Sequence, residues 1–111
     1  RGSAEWYVPP GADSTQRILF LHGGSYVLWA PQDAPYRSLA SRLAAACGMC
    51  VLSVDYRLGP EHRFPAAYED ASQALQWLAE HGPPTGATDR KSGFSDAPAR
   101  DLFVCGDSAG G

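Results

Sequence analysis

A glycine-rich segment near the end of the 111-residue sequence carries the residue best suited to covalent chemistry. The segment Gly106-Asp107-Ser108-Ala109-Gly110 has the spacing G-x-S-x-G, in which a sharp turn from strand to helix exposes a nucleophilic serine. The turn is so tight that the residues two before and two after Ser108 must be small. A helix that begins at the serine favours the negative charge that develops nearby during attack. The segment predicts nucleophilic catalysis at Ser108, against the alternative of a turn with only a structural role.

A second glycine-rich segment, His22-Gly23-Gly24-Ser25, follows directly after a short apolar run. Glycine lets a backbone N–H approach a tetrahedral oxyanion closely, which a large side chain would prevent. We expect this segment to supply such N–H groups and His22 to orient it through hydrogen bonds, the alternative being a plain strand-to-helix turn. A phosphate-binding loop fits poorly, because neither Gly-x-x-x-x-Gly-Lys nor Gly-x-Gly-x-x-Gly occurs.

The elements that must position these segments follow from the hydrophobic pattern. Apolar runs at 18–21, 50–54 and 102–105 are typical of strands buried on both faces. Segments with helical periodicity separate these runs and predict two helices. The apolar face of the first comprises Tyr36, Leu39, Ala40, Leu43 and Cys47. That of the second comprises Ala67, Ala71, Ala74, Leu75 and Leu78. Strands that alternate with helices indicate one α/β domain with a parallel sheet. Both glycine-rich segments begin at carboxyl ends of strands, where such sheets form their sites.

The two segments, together with the stretch 54–67 between them, resemble the hormone-sensitive-lipase group of esterases, which includes bacterial family IV esterases, arylacetamide deacetylases and plant carboxylesterases. The resemblance runs from about residue 18 to residue 111. It implies the α/β-hydrolase fold, a three-layer sandwich around a parallel sheet, with a lid and a Ser-His-Asp triad. By carry-over, Ser108 is the nucleophile, and His22 and Asp107 have supporting roles. The implied oxyanion hole consists of Gly23, Gly24, Ser25 and Ala109.

The sequence departs from this family at one position of the oxyanion segment. Ser25 stands where the family usually has a third glycine. A backbone N–H is present with either residue, so the oxyanion contact survives if a residue with a β-carbon tolerates the local φ. We expect the serine to narrow the acyl pocket without changing the class of reaction.

The order of the triad bears on what these residues can do alone. In this fold the triad follows the order Ser, Asp or Glu, His, whereas every histidine here precedes Ser108. We therefore expect residues 1–111 to be the N-terminal part of a single α/β-hydrolase domain, truncated after the nucleophile turn and inactive alone. A triad of Asp55, His62 and Ser108 would require a different fold. Within the segment from Asp55 to Phe64 we expect a buried polar network that braces the loops around the site. Its members are Asp55, Arg57, Glu61 and His62.

The predicted function is hydrolysis of short-to-medium acyl or aryl esters through an acyl-enzyme. The alternative is a ligand-binding receptor, because plant gibberellin receptors share this fold and keep the serine but lose the triad histidine. The expected partner is a small-molecule ester. A net charge of −3 and a pI near 5.4 give no reason to expect nucleic acid. No apolar run is long enough to insert in a membrane, and no side-chain spacing suggests a metal or a cofactor.

The segment Cys47-Gly48-Met49-Cys50 has the spacing of a CxxC motif, which is typical of redox pairs. The motif falls at the end of a predicted helix, where the helix dipole opposes a thiolate. We therefore predict that Cys47, Cys50 and Cys105 are packing thiols. Unpaired thiols favour a reducing compartment such as the cytoplasm, but no targeting pattern decides the localisation.

Overall fold

The computed structural model describes residues 3–25, 29–84 and 97–111, which form one four-stranded sheet and two helices. In chain order the elements are β1 (Ala4–Tyr7), β2 (Asp13–Leu21), α1 (Ala34–Cys47), β3 (Met49–Val54), α2 (Ala66–Glu80), β4 (Asp101–Gly106) and a single 3-10 turn (Ser108–Gly110). The three predicted strands and both predicted helices are confirmed. Among the described residues, no helix is long and apolar enough to cross a membrane.

The strand order β1-β3-β2-β4 places the ends of β2 and β4 side by side. The strands β3, β2 and β4 are mutually parallel, and Leu21 lies opposite both Val54 and Gly106. The two glycine-rich segments therefore leave the sheet at adjacent points, as the sequence predicts.

The three predicted strands form the expected parallel sheet, and a fourth strand, β1, makes the whole sheet mixed. The strand β1 pairs antiparallel with β3, with Ala4 opposite Val54. The link from β1 to β2 is a tight turn, in which the N–H of Ala12 donates to the carbonyl of Pro9 at 3.1 Å and Gly11 has a φ of 77°. This short link reverses the chain, so β1 runs antiparallel to β2 and therefore also to β3, which lies between them. A parallel arrangement would need a crossover of about a dozen residues or more.

The two helices cover opposite faces of the sheet, which confirms the predicted three-layer arrangement. Successive side chains of a strand point to opposite faces, so β2 and β3 contribute to two cores. One core packs against α1 and contains Ile18, Phe20, Tyr36, Ala40, Ala44 and Val51. The other packs against α2 and contains Leu19, Leu52, Val54, Tyr56, Leu58 and Leu78.

Two predicted burial patterns are wrong in detail. The buried line of α1 is Tyr36, Ala40 and Ala44, whereas Leu39 is 43% exposed and Cys47 is also exposed. The helix therefore contacts the sheet through one row of residues spaced four apart. The predicted apolar face differs from that row because it includes Leu39 and Cys47. In β4, Phe103 and Val104 are 54% and 55% exposed, because β4 is the outer strand of the described sheet.

The cysteine positions lead to a first testable prediction. Cys47, Cys50 and Cys105 are free thiols, but only Cys50 is buried, so the prediction that Cys47 packs in the core is wrong. Burial raises the pKa of the Cys50 thiol. In the folded protein we expect Cys47 to be alkylated faster than Cys50, and in denatured, unreduced protein all three should be alkylated. Mass spectrometry would measure both, and a Cys47–Cys50 disulfide would refute the prediction.

Candidate active site

The turn after β4 exposes Ser108 in a strained backbone conformation. Asp107 is extended, with a φ of −113°, and the chain then reverses at Ser108, whose φ is 52°. Positive φ is uncommon for a residue with a β-carbon and costs free energy. The N–H of Gly110 donates to the carbonyl of Asp107 at 2.8 Å, and that of Gly111 to the carbonyl of Ser108 at 2.9 Å. This geometry is the sharp strand-to-helix turn that the sequence predicts.

Glycines on either side of the serine are required by close backbone approach. A β-carbon on Gly106 would overlap the carbonyl of Gly110 and lie 2.7 Å from the nitrogen of Gly111. A β-carbon on Gly110 would overlap the carbonyl oxygen of Leu21 and lie 2.8 Å from that of His22. The turn therefore packs directly against the end of β2, where the second glycine-rich segment begins.

The segment after β2 also uses conformations that favour glycine. Gly24 has a φ of 121°, which residues with a β-carbon rarely adopt, and Ser25 has a φ of 55°. The value at Ser25 lies in the small left-handed region that L-residues can occupy, so serine is tolerated there. A β-carbon on Gly23 would lie 2.9 Å from the carbonyl and carboxylate oxygens of Asp107. The two segments thus contact each other through Gly23 and Asp107.

Sequence reasoning missed a hydrogen-bonded link between the two segments, which is made by Tyr36 of α1. The N–H of Gly23 donates to the Tyr36 hydroxyl at 3.2 Å, and that hydroxyl donates to Oδ2 of Asp107 at 2.8 Å. Burial, and then the hydrogen bond to Asp107, raise the pKa of Tyr36, so its phenol stays protonated near neutral pH. The sequence pattern predicts only that Tyr36 lies in the core. The signal for the link is that a buried tyrosine hydroxyl needs a hydrogen-bond partner.

This link revises the oxyanion hole expected from the sequence. The N–H of Gly23 is already bonded to Tyr36, so it does not point to a substrate in this conformation. No hydrogen bond joins the N–H groups of Gly24, Ser25 or Ala109 to another residue in the described part of the chain. These three are the candidate oxyanion donors in this conformation, in which the N–H of Gly23 is bonded to Tyr36.

His22 is fully buried and is held by contacts to its own segment and to the loop after β3. Its Nδ1 lies 2.6 Å from the carbonyl oxygen of Gly23, so this nitrogen carries a proton and donates it. Its ring stacks on Tyr56 with a centroid distance of 4.4 Å, and the Tyr56 hydroxyl donates to the His22 carbonyl. These contacts fix the direction in which the chain leaves β2.

The loop after β3 is braced mainly by one arginine. The backbone N–H of Arg57 donates to Asp70 of α2 at 2.8 Å, and its guanidinium lies 3.0 Å from the same carboxylate. Partial burial raises the pKa of Asp70, but the hydrogen bonds from Arg57 outweigh that effect and hold the pKa below its usual value. Glu61 and His62 are exposed, so the expectation that they belong to a buried polar network is wrong.

A groove of about 550 Å³ lies between this loop, α2 and the end of the chain. Its lining is mostly apolar and includes Leu21, Phe64, Ala67, Tyr68 and Ala109, with His62 at its side. Neither Ser108 nor residues 23–25 contribute to it. Ala109, a candidate oxyanion donor, therefore marks the point where the groove meets the turn that carries Ser108.

Comparison with known proteins agrees with this geometry. Residues 18–111 match the α/β-hydrolase fold family. The chain belongs to that family. This α/β-hydrolase chain is 48% identical over 84 residues to an acetyl-hydrolase of Streptomyces hygroscopicus, an alignment that covers 76% of this chain and 27% of that protein. It is 40% identical over 102 residues to a gibberellin receptor of Oryza sativa subsp. japonica, which covers 92% of this chain and 27% of the receptor.

Solved structures show the same relationship. This α/β-hydrolase chain superposes on a hyperthermophilic esterase from the archaeon Pyrobaculum calidifontis with a TM-score of 0.74 and 38% identity. The superposition covers 96% of this chain and 31% of the esterase. The predicted resemblance to esterases is thereby confirmed, and the chain spans less than a third of the length of these relatives.

Proposed function

We propose that the complete protein to which these residues belong is a serine hydrolase of carboxylic esters with short-to-medium acyl or aryl groups. The observation that carries the proposal is the contact between two backbone turns. One turn presents Ser108, exposed and with a φ of 52°, and the other brings glycine-rich backbone against it. The similarity to an acetyl-hydrolase and to an esterase supports the same function.

In the proposed mechanism the hydroxyl oxygen of Ser108 attacks the ester carbonyl carbon, and its proton passes to a histidine base. The N–H groups of Gly24, Ser25 and Ala109 donate to the oxygen that becomes negative, and each such donor contributes a factor of about 10² to 10³ in rate. The alcohol leaves with the proton from the histidine, which gives an acyl-enzyme. Water activated by the same base then releases the acid and restores Ser108.

The three histidines of this chain are poor candidates for that base. His22 is buried and donates from Nδ1 to Gly23, and His81 stacks on Trp77 with a centroid distance of 4.8 Å. His62 lines the groove, and Ser108 does not. In this fold the acid and the histidine follow the serine along the chain. We therefore propose that both come from residues after Gly111 in the complete protein.

A second candidate function is small-molecule binding without turnover. The similarity to a gibberellin receptor over 92% of this chain favours it. The part of the site that these residues form does not by itself distinguish a receptor from an enzyme. The two functions differ in whether a histidine base faces Ser108.

The complete protein is expected to hydrolyse p-nitrophenyl acetate and butyrate with many turnovers per molecule. A fluorophosphonate should label one serine, Ser108, because only an activated serine attacks phosphorus. Spectrophotometry would measure the turnover, and peptide mass spectrometry would locate the label. A binding protein without a base would give neither. A label on another serine, or full turnover with no label, would sink the assignment.

A further inference from the structure

The bridge through Tyr36 connects the two halves of the proposed oxyanion hole. Gly24 and Ser25 lie on the turn after β2, and Ala109 lies on the turn after β4. The sheet ladder ends at Leu21 and Gly106, beyond which the N–H of Asp107 donates to the carbonyl of Leu21 at 3.2 Å. The donors themselves lie farther along each turn. Their separation therefore depends on contacts between the two turns rather than on the sheet alone.

The Tyr36 hydroxyl makes such a contact with both turns at once. A backbone N–H can only donate, so the oxygen of Tyr36 accepts from Gly23 and its proton is left for Asp107. The bonded groups are each next to a catalytic position, since Gly23 precedes Gly24 and Asp107 precedes Ser108. Tyr36 is itself 6% exposed and packs on Phe20 and His22, with centroid distances of 6.4 and 5.6 Å. Its hydroxyl is therefore held in place by the core.

We propose that Tyr36 is a positioning residue for ester hydrolysis, which sets the distance between the Ser108 turn and the Gly24–Ser25 turn through its bonds to Asp107 and Gly23. This inference rests on the proposed function. It predicts an effect on the transition state, because the aligned N–H groups bind the oxyanion more strongly than the ground-state carbonyl. Small misplacements of catalytic groups cost up to about 100-fold in rate.

The test replaces Tyr36 with phenylalanine in the complete protein, which keeps the ring and removes the bridge. With p-nitrophenyl acetate we expect kcat to fall about 10- to 100-fold and KM to change less than about threefold. The matched control is Tyr7→Phe, which removes a hydroxyl bonded to Glu5 on β1, away from the two turns, and should leave kcat unchanged. Thermal unfolding of each variant would show whether the fold is intact.

A second variant breaks the bridge from its other end. Asp107→Ala removes the acceptor of the Tyr36 proton at an exposed position, so it decides the question even if Tyr36→Phe does not fold. We expect a similar fall in kcat, and the double variant should fall no further than the larger single effect, because both changes break one link. If wild-type protein turns over esters and both single variants keep the kcat of the Tyr7→Phe control, the inference alone is wrong. If wild-type protein shows no turnover, the proposed function fails and the inference fails with it.

Discussion

Ser108→Ala in the complete protein is expected to lower kcat/KM for p-nitrophenyl acetate by at least about 10⁴-fold. Alanine removes the atom that forms the acyl-enzyme, so only the oxyanion donors and ground-state binding remain to assist attack by water. The fold should persist, because residue 108 is exposed and alanine, like serine, has a β-carbon, so the substitution adds no strain at the φ of 52°. Spectrophotometric kinetics and fluorophosphonate labelling would measure the change.

The matched control for this variant is Ser38→Ala. Ser38 is also exposed, but it lies on α1 in ordinary helical backbone. It should retain wild-type activity and labelling. A loss of less than about tenfold in the Ser108 variant, with its thermal unfolding unchanged, would mean that another residue attacks the ester.

The main elements and the two turns could be predicted because their signals are local. Apolar runs mark β2, β3 and β4, and glycines mark the places where backbone approaches backbone. The order of the motifs along the chain also predicts that the two turns lie at neighbouring strand ends. The pairing of Leu21 with Gly106 confirms this prediction. For this part of the fold, periodicity and turn chemistry agree with the tertiary structure.

The missed features depend on contacts between residues distant in sequence. Tyr36 and Asp107 are separated by 71 positions, and helical periodicity describes only the burial of Tyr36, not the partner of its hydroxyl. Arg17 is a stronger case, since a charged residue next to an apolar run is expected at the surface. It is fully buried, and its guanidinium donates to the carbonyls of Leu78, at 2.8 Å, and of Ala97. The carbonyl of Leu78 comes from α2 and that of Ala97 from the segment before β4, so both partners are brought to Arg17 by the tertiary fold.

The individual donors of the oxyanion hole could not be predicted from the sequence either. The sequence gives three consecutive N–H groups at Gly23, Gly24 and Ser25, and spacing alone cannot distinguish among them. The distinction arises when α1 places Tyr36 beside the first of the three. A side chain from another element thus determines which backbone N–H groups can donate to a substrate. The motif therefore predicts the segment but not the individual donors.

Gly110→Ala is expected to be strongly damaging, and Gly48→Ala is its control. A β-carbon at residue 110 would overlap the carbonyl oxygen of Leu21 and lie 2.6 Å from its carbonyl carbon, both fixed atoms of β2. Residue 48, after α1, has a φ of 64° but no atom within 4 Å of the added carbon. The first change therefore tests collision without positive φ, and the second tests positive φ without collision.

For Gly48→Ala we expect a loss of about 1 to 2 kcal/mol in the free energy of unfolding, which is the usual cost of left-handed backbone, with kcat unchanged. For Gly110→Ala the turn must move away from β2, and Ala109 and Ser108 must move with it. We expect kcat to fall at least about 100-fold, with a larger loss of stability than in the control. Urea unfolding and ester kinetics on the complete protein would measure both. Equal kcat in the two variants would show that the Ser108 turn does not depend on its contact with Leu21, and the positioning argued from the glycines would be wrong.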